Sequence, residues 1–251
     1  MSTALSPMIS LVRAETVLLR RNRALSFSAV LLPVGLVALL RAVGGDRLGG
    51  PDGIAAAVSM LFGAQLLFVV YYTVLSTAVA RREEGVLLRL RSGEARDGQV
   101  LAALCAPAVL VTGITTVLLV GLGRSVIDLP LPAQPLLVLL GVVAGCVVFS
   151  ALGLATAIWT RSVESAQITN LPLVAVCVLG AGLAVPLEVL PTGLAAVLEL
   201  TPLAPVLELL RAGWSGDVVA YDLVGAVGTV LAWAVVALAL VASRFRWSAR
   251  G

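Results

Sequence analysis

The sequence contains neither histidine nor lysine, and all 17 of its basic residues are arginine. Such a chain has no imidazole to act as a general base or metal ligand, and no side-chain amine to form a Schiff base. The three cysteines, Cys105, Cys146 and Cys177, lie inside apolar runs and show no CxxC spacing, which favours buried thiols over a metal or redox role. We therefore expect no catalytic, metal-binding or cofactor-binding site on this chain.

Charged residues are also few, and the sequence lacks a common nucleotide-binding motif. No GxxxxGK[ST] pattern occurs, so the chain has no P-loop to hold nucleotide phosphates. Charged residues make up 12% of the 251 residues and hydrophobic residues 60%, whereas about a quarter of the residues of a soluble domain are charged. This balance predicts a single membrane-embedded domain over residues 1–251, and nothing in it indicates a nucleic-acid partner.

Six apolar runs are long enough to cross the membrane, since about 20 residues of helix span roughly 30 Å of hydrocarbon. The fold class predicted from them is an all-α polytopic membrane protein with six transmembrane helices. The predicted spans cover residues 24–43, 54–79, 100–122, 136–159, 166–185 and 223–243.

The distribution of arginine between the connecting segments predicts the orientation. If residues 1–23 are cytoplasmic, the inner side carries thirteen arginines and six acids, and the outer side carries four arginines and eight acids. The net charges are then +7 inside and −4 outside. This asymmetry agrees with the positive-inside rule and places both termini in the cytoplasm.

Residues 1–23 have a signal of their own. Ser6 and Pro7 are typical of a helix N-cap and a first helical residue, and apolar residues then recur at helical spacing between arginines. This pattern predicts an amphipathic helix on the inner membrane surface. The alternative is a basic flank that only directs the first span.

Residues 80–99 contain nine ionisable groups between two apolar runs. Each Arg or Asp costs roughly 2.5–3.5 kcal/mol at the bilayer centre, so this stretch lies outside the membrane. A plain solvated loop needs no leucines, yet Val86, Leu87 and Leu90 fit one side of a short helix. We expect a short amphipathic helix that contacts a partner or lipid headgroups.

The segment 186–222 is apolar but interrupted. Its runs 187–200 and 203–212 are too short to span, each is broken by a proline, and both carry acids. Apolar segments of this length are typical of re-entrant or interfacial helices. An ordinary outer loop with two amphipathic helices is the alternative.

The spans offer little for ion coupling. Apart from hydroxyl residues, predicted spans two to six contain nothing more polar than Gln65, Gln167 and Asn170. Proton-coupled transporters keep ionisable groups at membrane depth, so this class is disfavoured. A sodium-coupled carrier that uses backbone carbonyls stays open. If the protein moves a substrate uphill, we expect the energy to come from another chain.

Together these features resemble the membrane subunits of ABC-2-type ABC transporters, which have six spans, an N-terminal interface helix and a cytoplasmic coupling helix between spans two and three. The family pattern of acid, glycine, leucines and arginines is similar to residues 83–91. The chain differs in having Val86 where the family has Thr, and Ser92-Gly93 where a proline is usual. The resemblance assigns ATPase coupling to a set we call the coupling residues, Glu83, Glu84, Gly85, Val86, Leu87, Leu90 and Arg91.

A second resemblance covers residues 167–211, where an early Asn-x-Pro is followed by small residues, spaced prolines and a terminal arginine. It implies the family's fifth span and an outer re-entrant segment. The positions it singles out, which we call the gate residues, are Asn170, Pro172, Pro186, Pro191, Pro202 and Pro205.

The resemblance implies a permease subunit that exports a lipophilic or amphipathic small molecule, such as a drug, antibiotic or lipid, across a bacterial cytoplasmic membrane. Its expected partners are membrane lipids, cytoplasmic ABC ATPase subunits that bind ATP and magnesium, and a second permease subunit in a homodimer or heterodimer. Export of a polysaccharide or glycolipid is an alternative. A secondary carrier or a membrane scaffold would act without an ATPase.

Overall fold

The structure is a computed structural model, and the residues that it describes are 34, 35, 37, 38, 41, 42, 51–91, 96–185, 187–218, 222–245 and 247. The predicted interface helix over 1–23 and most of the predicted span 24–43 lie outside these residues. The described part is helical and contains no strand, which confirms the all-α prediction.

The helices are numbered here in chain order. A six-residue π-helix, Leu66–Tyr71, joins α1 to α2, and a 3₁₀ turn covers Leu187–Val189. The α-helices are α1 (Pro51–Gln65), α2 (Tyr72–Glu83), α3 (Val86–Arg91), α4 (Asp97–Ile127), α5 (Pro135–Ala157), α6 (Val163–Thr169), α7 (Leu171–Gly180), α8 (Thr192–Glu199), α9 (Ala204–Ser215) and α10 (Leu223–Arg244).

Within the described residues, five helical segments are long and apolar enough to cross a membrane, and each overlaps one of the predicted spans two to six. The segments are Gly53–Glu83, Asp97–Val126, Pro135–Ala157, Val163–Gly180 and Leu223–Arg244. The polytopic membrane class is therefore confirmed. The segment that starts at Val163 begins earlier than predicted, because Ser162 caps it by accepting a hydrogen bond from the Ser165 amide.

Helices α8 and α9 form a bent pair in the predicted segment 186–222, with an angle of 83° between them. Helix α9 runs antiparallel to α5: Val206 lies at Gly145, Leu210 at Gly141, and Gly213 near Val138. The backbone amide of Gln134 also donates to the Gly213 carbonyl at 2.8 Å. Helix α9 therefore covers only the half of α5 nearer its N-terminus, and it ends where α5 begins.

Helix α5 is the centre of the bundle, since α2, α9, α10 and the π-helix all pack on it. Its glycines permit this crowding. A Cβ at Gly153 would lie 2.8 Å from the Tyr71 carbonyl oxygen, and one at Gly145 would lie 2.7 Å from a Leu66 methyl carbon. Small residues at such positions let helix backbones approach closely in membranes.

The π-helix between α1 and α2 is bracketed by two polar contacts between spans. Before it, the buried Gln65 side-chain amide donates to the Thr112 carbonyl at 3.2 Å and to the Thr115 hydroxyl. At its end, the buried Tyr71 hydroxyl bonds to the Thr156 hydroxyl at 3.1 Å. Single π turns within helices frequently mark functional sites, and this one is joined to both α4 and α5.

Two ends of the bundle are distinguished below. The arginine end is where α2 finishes and α4 begins, and it carries Arg81, Arg82 and Arg161. The opposite end is where α5 begins and α9 finishes, near Gln134 and Trp214.

Candidate functional site

The coupling residues form a compact turn and helix at the arginine end. Helix α2 ends at Glu83, and Gly85 then adopts φ +68°, a left-handed conformation that favours glycine because it has no Cβ. Helix α3 follows at once and ends at Arg91. The short helix expected in the stretch 80–99 is thus present, and the glycine permits the sharp change of direction before it.

The two faces of α3 have different environments. The Leu87 side chain is fully buried and Leu90 packs partly against the same core, whereas Leu88 is 54% exposed. Leu87 therefore attaches α3 to the bundle and is not available to a partner. Among the residues of this region whose side chains the structure describes, Glu83, Glu84, Leu88 and Arg89 are exposed.

Arg82, in the last turn of α2, is a buried cation that is only 2% exposed. Its Nη1 donates to the Ala157 carbonyl at 2.7 Å, and its Nη2 donates to the Thr160 carbonyl. These carbonyls lie at the C-terminus of α5, where helix carbonyls lack intrahelical donors and the helix dipole is negative. Arg82 thus fastens the end of α2 to the end of α5.

The next two residues, Glu83 and Glu84, make contacts at the same end of the bundle. The Glu83 carboxylate accepts the Val163 amide at 3.4 Å, at the N-terminus of α6, where the helix dipole favours a negative charge. Glu84 pairs with Arg81 at 3.1 Å, and its carbonyl accepts from Arg89 at 3.4 Å. Arg82 therefore contacts the end of α5 and Glu83 contacts the start of α6, on the two sides of the short connection between these helices.

We call this arrangement the coupling joint, defined as Arg82, Glu83 and helix α3. It links an exposed surface to two membrane-embedded helices through buried or short-range contacts. Arg82 ties the end of α2 to the end of α5, and the buried Leu87 attaches α3 to the same bundle.

The gate residues are dispersed over helix boundaries of the α6–α9 region. Asn170 separates α6 from α7, and its buried Oδ1 has no hydrogen-bond partner among the described residues. Pro172 is the second residue of α7, Pro191 precedes α8, and Pro205 is the second residue of α9. These are the positions that proline tolerates best in helices. Pro202 lies buried in the bend between α8 and α9, and Pro186 lies outside the described residues.

The bend between α8 and α9 sits tightly on the end of α7. A Cβ at Gly180 would collide with the Thr201 hydroxyl and the Leu198 carbonyl. A cavity of about 660 Å³ lies beside this contact, and its described lining includes the charged residues Glu199, Glu208, Arg211 and Asp222. The Glu208 carboxylate accepts the Asp222 amide at 2.9 Å. Of the gate residues, Pro205 lines this charged cavity, whereas Asn170 follows Thr169, whose hydroxyl accepts a hydrogen bond from the Thr160 hydroxyl close to the coupling joint.

Arg82 was not singled out by the sequence analysis, which counted it only as a cytoplasmic charge. A signal was present: Leu75, Ala78, Val79 and Arg82 continue one buried helical stripe. An arginine that follows an apolar stripe at helical spacing points to the bundle and needs acceptors there.

The described helices form a bundle with several segments long and apolar enough to span a membrane, and the coupling joint lies at one end of it. The sequence matches the model of the ABC-2 type transporter family over residues 8–214. The chain therefore belongs to the ABC-2 type transporter family and is a transport membrane subunit. Membership implies that it works with ABC ATPase subunits. A search among curated proteins finds no match to this chain.

Proposed function

We propose that the chain is the permease subunit of an ATP-driven exporter that moves a lipophilic or amphipathic small molecule out of a bacterial cytoplasm. The observation that carries the proposal is the coupling joint, in which the end of α2 is tied to α5 through Arg82 and to α6 through Glu83, and α3 with its exposed face follows directly. Such a joint suits a protein that receives mechanical work from outside the membrane. Drug and antibiotic efflux is the use that the apolar bundle supports best.

Separate cytoplasmic ATPase chains supply the energy in this proposal. They bind ATP and magnesium, since the sequence of this chain has no P-loop. Two permease subunits, identical or paired with a relative, enclose the pathway. The arginine end faces the cytoplasm, in line with the charge asymmetry of the sequence.

The mechanism that we propose is a mechanical relay. Closure of the ATPases displaces α3, and Arg82 passes the displacement to the C-terminus of α5. Because α9 packs along the other half of α5, a movement of α5 also reaches the bend at Thr201 and the charged cavity beside it. Two stable arrangements of this contact would provide the inward and outward states.

The α8–α9 pair is re-entrant in this proposal. The span Val163–Gly180 starts near Arg82 at the arginine end, and α9 finishes at Gln134 at the opposite end. Gly180, at the end of the span, lies against Thr201, just before α9 begins, so the span ends at about the depth where α9 starts. If the connection to α8 continues outward, the chain reaches the outer side before α8 and is there again after α9. The pair then enters and leaves on one side, with α9 reaching about half the depth of α5.

Co-purification followed by reconstitution tests the function. The full chain, purified from its native membrane, is expected to bring down a protein with a P-loop, and the two together in liposomes should hydrolyse ATP faster when lipophilic drugs are added. Uphill transport by the chain alone would instead identify a secondary carrier. Stimulation by polysaccharide or glycolipid alone would move the substrate to that class.

Leu88→Asp tests the coupling surface. Leu88 is exposed on α3, so a charge there is expected to leave the folded bundle intact while it abolishes drug-stimulated ATP hydrolysis. Leu87→Asp is the contrasting variant, because it buries a charge in the core and is expected to lower stability by several kcal/mol. Folding is measured by size-exclusion chromatography in detergent, and coupling is measured as the stimulation of ATP hydrolysis. Full stimulation in Leu88→Asp would place the docking surface elsewhere.

A further inference from the structure

The charged cavity of about 660 Å³ beside the bend between α8 and α9 has the size of a ligand site, since small-molecule pockets usually enclose about 300–1,000 Å³. Its described walls come from α8, α9, the start of α10 and the end of α7. One part of the lining is apolar and includes Leu187, Leu190 and Leu200, and another part carries charged side chains. A cavity with these two parts suits a molecule that has a polar head and an apolar body.

Three carboxylates line the cavity, and two of them already accept hydrogen bonds from the backbone. Glu208 of α9 accepts the Asp222 amide at 2.9 Å, and Asp222 accepts the Gly225 amide at 3.0 Å as the N-cap of α10. Glu199, at the end of α8, is exposed and accepts no hydrogen bond among the described residues. Glu199 and Asp222 also repel the charge of Glu208. A positive group beside Glu199 and Glu208 would relieve this repulsion.

Arg211 is the one positively charged residue among the described lining residues of the cavity. Its Nε is buried and has no hydrogen-bond partner within the described part of the chain. Glu208, three positions earlier on α9, attracts the guanidinium, and the Glu208 carboxylate accepts the Asp222 amide. The Thr201 side chain is only 7% exposed and lies against Gly180 of the lining, and its hydroxyl also has no partner among the residues described. Because buried donors without acceptors cost free energy, a ligand that brings acceptor oxygens is favoured here.

These charges select among classes of ligand. Within the described residues, no group of three His, Cys, Asp or Glu residues is placed to hold a metal ion. A simple anion would meet Arg211 but would be repelled by the carboxylates, and a simple cation would leave the buried Nε of Arg211 without an acceptor. A zwitterion satisfies both sets of groups. Because Glu208 and Arg211 are three residues apart on one helix, their Cβ atoms lie about 5–6 Å apart, and we expect a similar distance between the opposite charges of the ligand.

We propose that the charged cavity binds amphipathic zwitterions of the aminoalkyl phosphate type, in which an ammonium and a phosphate lie about 5 Å apart. The phosphate lies at Arg211, the ammonium lies between Glu199 and Glu208, and the apolar body lies along the leucines of the cavity. The proposal deepens the proposed function, on which its meaning for transport rests, by naming a class of transported amphipath and its site. The headgroup of a bilayer phospholipid has the same chemistry, so the experiment has to separate bilayer lipid from added amphipath.

Binding is measured on the full chain in nanodiscs of phosphatidylglycerol, whose headgroup has no ammonium, and the signal of empty nanodiscs is subtracted. The probe is tritiated hexyl phosphoethanolamine, and saturable binding is expected. Hexylamine lacks the phosphate and hexyl phosphate lacks the ammonium. Each should compete about tenfold less well than the unlabelled probe, because each loses a hydrogen bond between charged groups. Equal competition by either analogue on the unaltered chain would overturn the proposal.

Two variants assign the selectivity to residues. Arg211→Gln is expected to remove the advantage of hexyl phosphoethanolamine over hexylamine, and Glu199→Gln is expected to reduce its advantage over hexyl phosphate. Arg124→Gln and Asp128→Asn are the matched controls, since both residues are exposed at the opposite end of the bundle and neither lines the cavity. An unchanged advantage over hexylamine in Arg211→Gln would also contradict the assignment of the phosphate to this cavity.

The source of the ligand is decided by repeating the assay in nanodiscs in which half of the lipid is phosphatidylethanolamine. Loss of probe binding in these nanodiscs would show that the headgroup of a bilayer lipid occupies the cavity. Unchanged binding would show that the cavity selects a free amphipath over the lipid. Either result supports the proposed chemistry of the site.

The outcomes for the site and for the function are distinguishable. Absence of zwitterion-selective binding while reconstituted export proceeds would overturn the site and leave the export function in place. Selective binding in a chain that exports nothing with its ATPase would contradict the proposed function and leave the site in place.

Discussion

Arg82→Ala is expected to lower the free energy of unfolding by about 3 kcal/mol or more, one of the two largest effects of a single substitution that we predict. Each hydrogen bond from a charged group contributes roughly 1.5–3 kcal/mol, and Arg82 donates to two carbonyls at the end of α5 while only 2% exposed. The substitution also leaves those carbonyls buried without donors. Unfolding is followed by circular dichroism during titration of detergent-solubilised protein with sodium dodecyl sulfate.

Arg82→Lys and Arg89→Ala are the matched controls. Lysine restores the charge but is a point donor that lacks the forked geometry of the guanidinium, so an intermediate loss is expected. Arg89 is exposed and makes a long contact to the Glu84 carbonyl at 3.4 Å, so its removal should change stability by less than about 1 kcal/mol. If Arg82→Ala and Arg89→Ala were equally stable, the joint between α2 and α5 would have no energetic importance.

The same variants separate stability from coupling. Because Arg82 connects the end of α2, just before α3, to the end of α5, Arg82→Lys is expected to weaken drug-stimulated ATP hydrolysis even where the bundle stays folded. Arg89 lies on the accessible surface of α3, so Arg89→Ala should lower stimulation without lowering stability. The two arginines thus report on the relay and on the docking surface respectively.

The spans were predictable from sequence because the membrane constrains them so strongly. Backbone groups in hydrocarbon must be satisfied within the segment, so a run of apolar residues such as 100–122 has to be helical. The observed segment Asp97–Val126 is longer at both ends, since Asp97 favours a helix N-terminus and Gly123 to Ile127 continue the helix beyond the apolar run. Boundaries depend on caps and turns, which hydropathy does not contain.

Only the outline of the coupling joint was predictable from the sequence. Gly85 and the leucines indicated a short helix, and the structure has one at Val86–Arg91. Spacing alone, however, does not say whether an apolar face meets a partner or its own bundle, and Leu87 is buried in the bundle. The acceptors of Arg82 lie 75 and 78 positions later in the chain, so no local pattern identifies them.

The cavity of about 960 Å³ between α4, α5 and α10 could not be predicted from sequence for a similar reason. Asp97 lies in α4, Ser150 in α5 and Trp247 just beyond α10, and only the packing angles of these helices bring the three residues to one cavity. Those angles depend on close contacts such as the one at Gly153. A sequence shows that α5 is rich in small residues, but it does not show which neighbour each of them admits.

Gly153→Val is the second substitution for which we expect a large effect, a loss of about 3 kcal/mol in the free energy of unfolding. A Cβ at this position would lie 2.8 Å from the Tyr71 carbonyl oxygen and 3.2 Å from the Leu75 nitrogen. Both are backbone atoms and cannot rotate away, so α5 and α2 must separate. Overpacking of this kind typically costs about 1–3 kcal/mol, and separation would also disturb the hydrogen bond between Tyr71 and Thr156.

Gly121→Val provides the control. Gly121 is a helical glycine of α4, and no described neighbour lies within 4 Å of the position that a Cβ would take there. Helix propensity changes equally in both variants, so the difference between them isolates the close contact. We expect Gly121→Val to retain the stability of the unaltered chain and Gly153→Val to lose both stability and drug-stimulated ATP hydrolysis. Equal stability of the two variants would mean that α5 has room to shift, and the relay from the coupling joint along α5 would then lack the rigid centre that it requires.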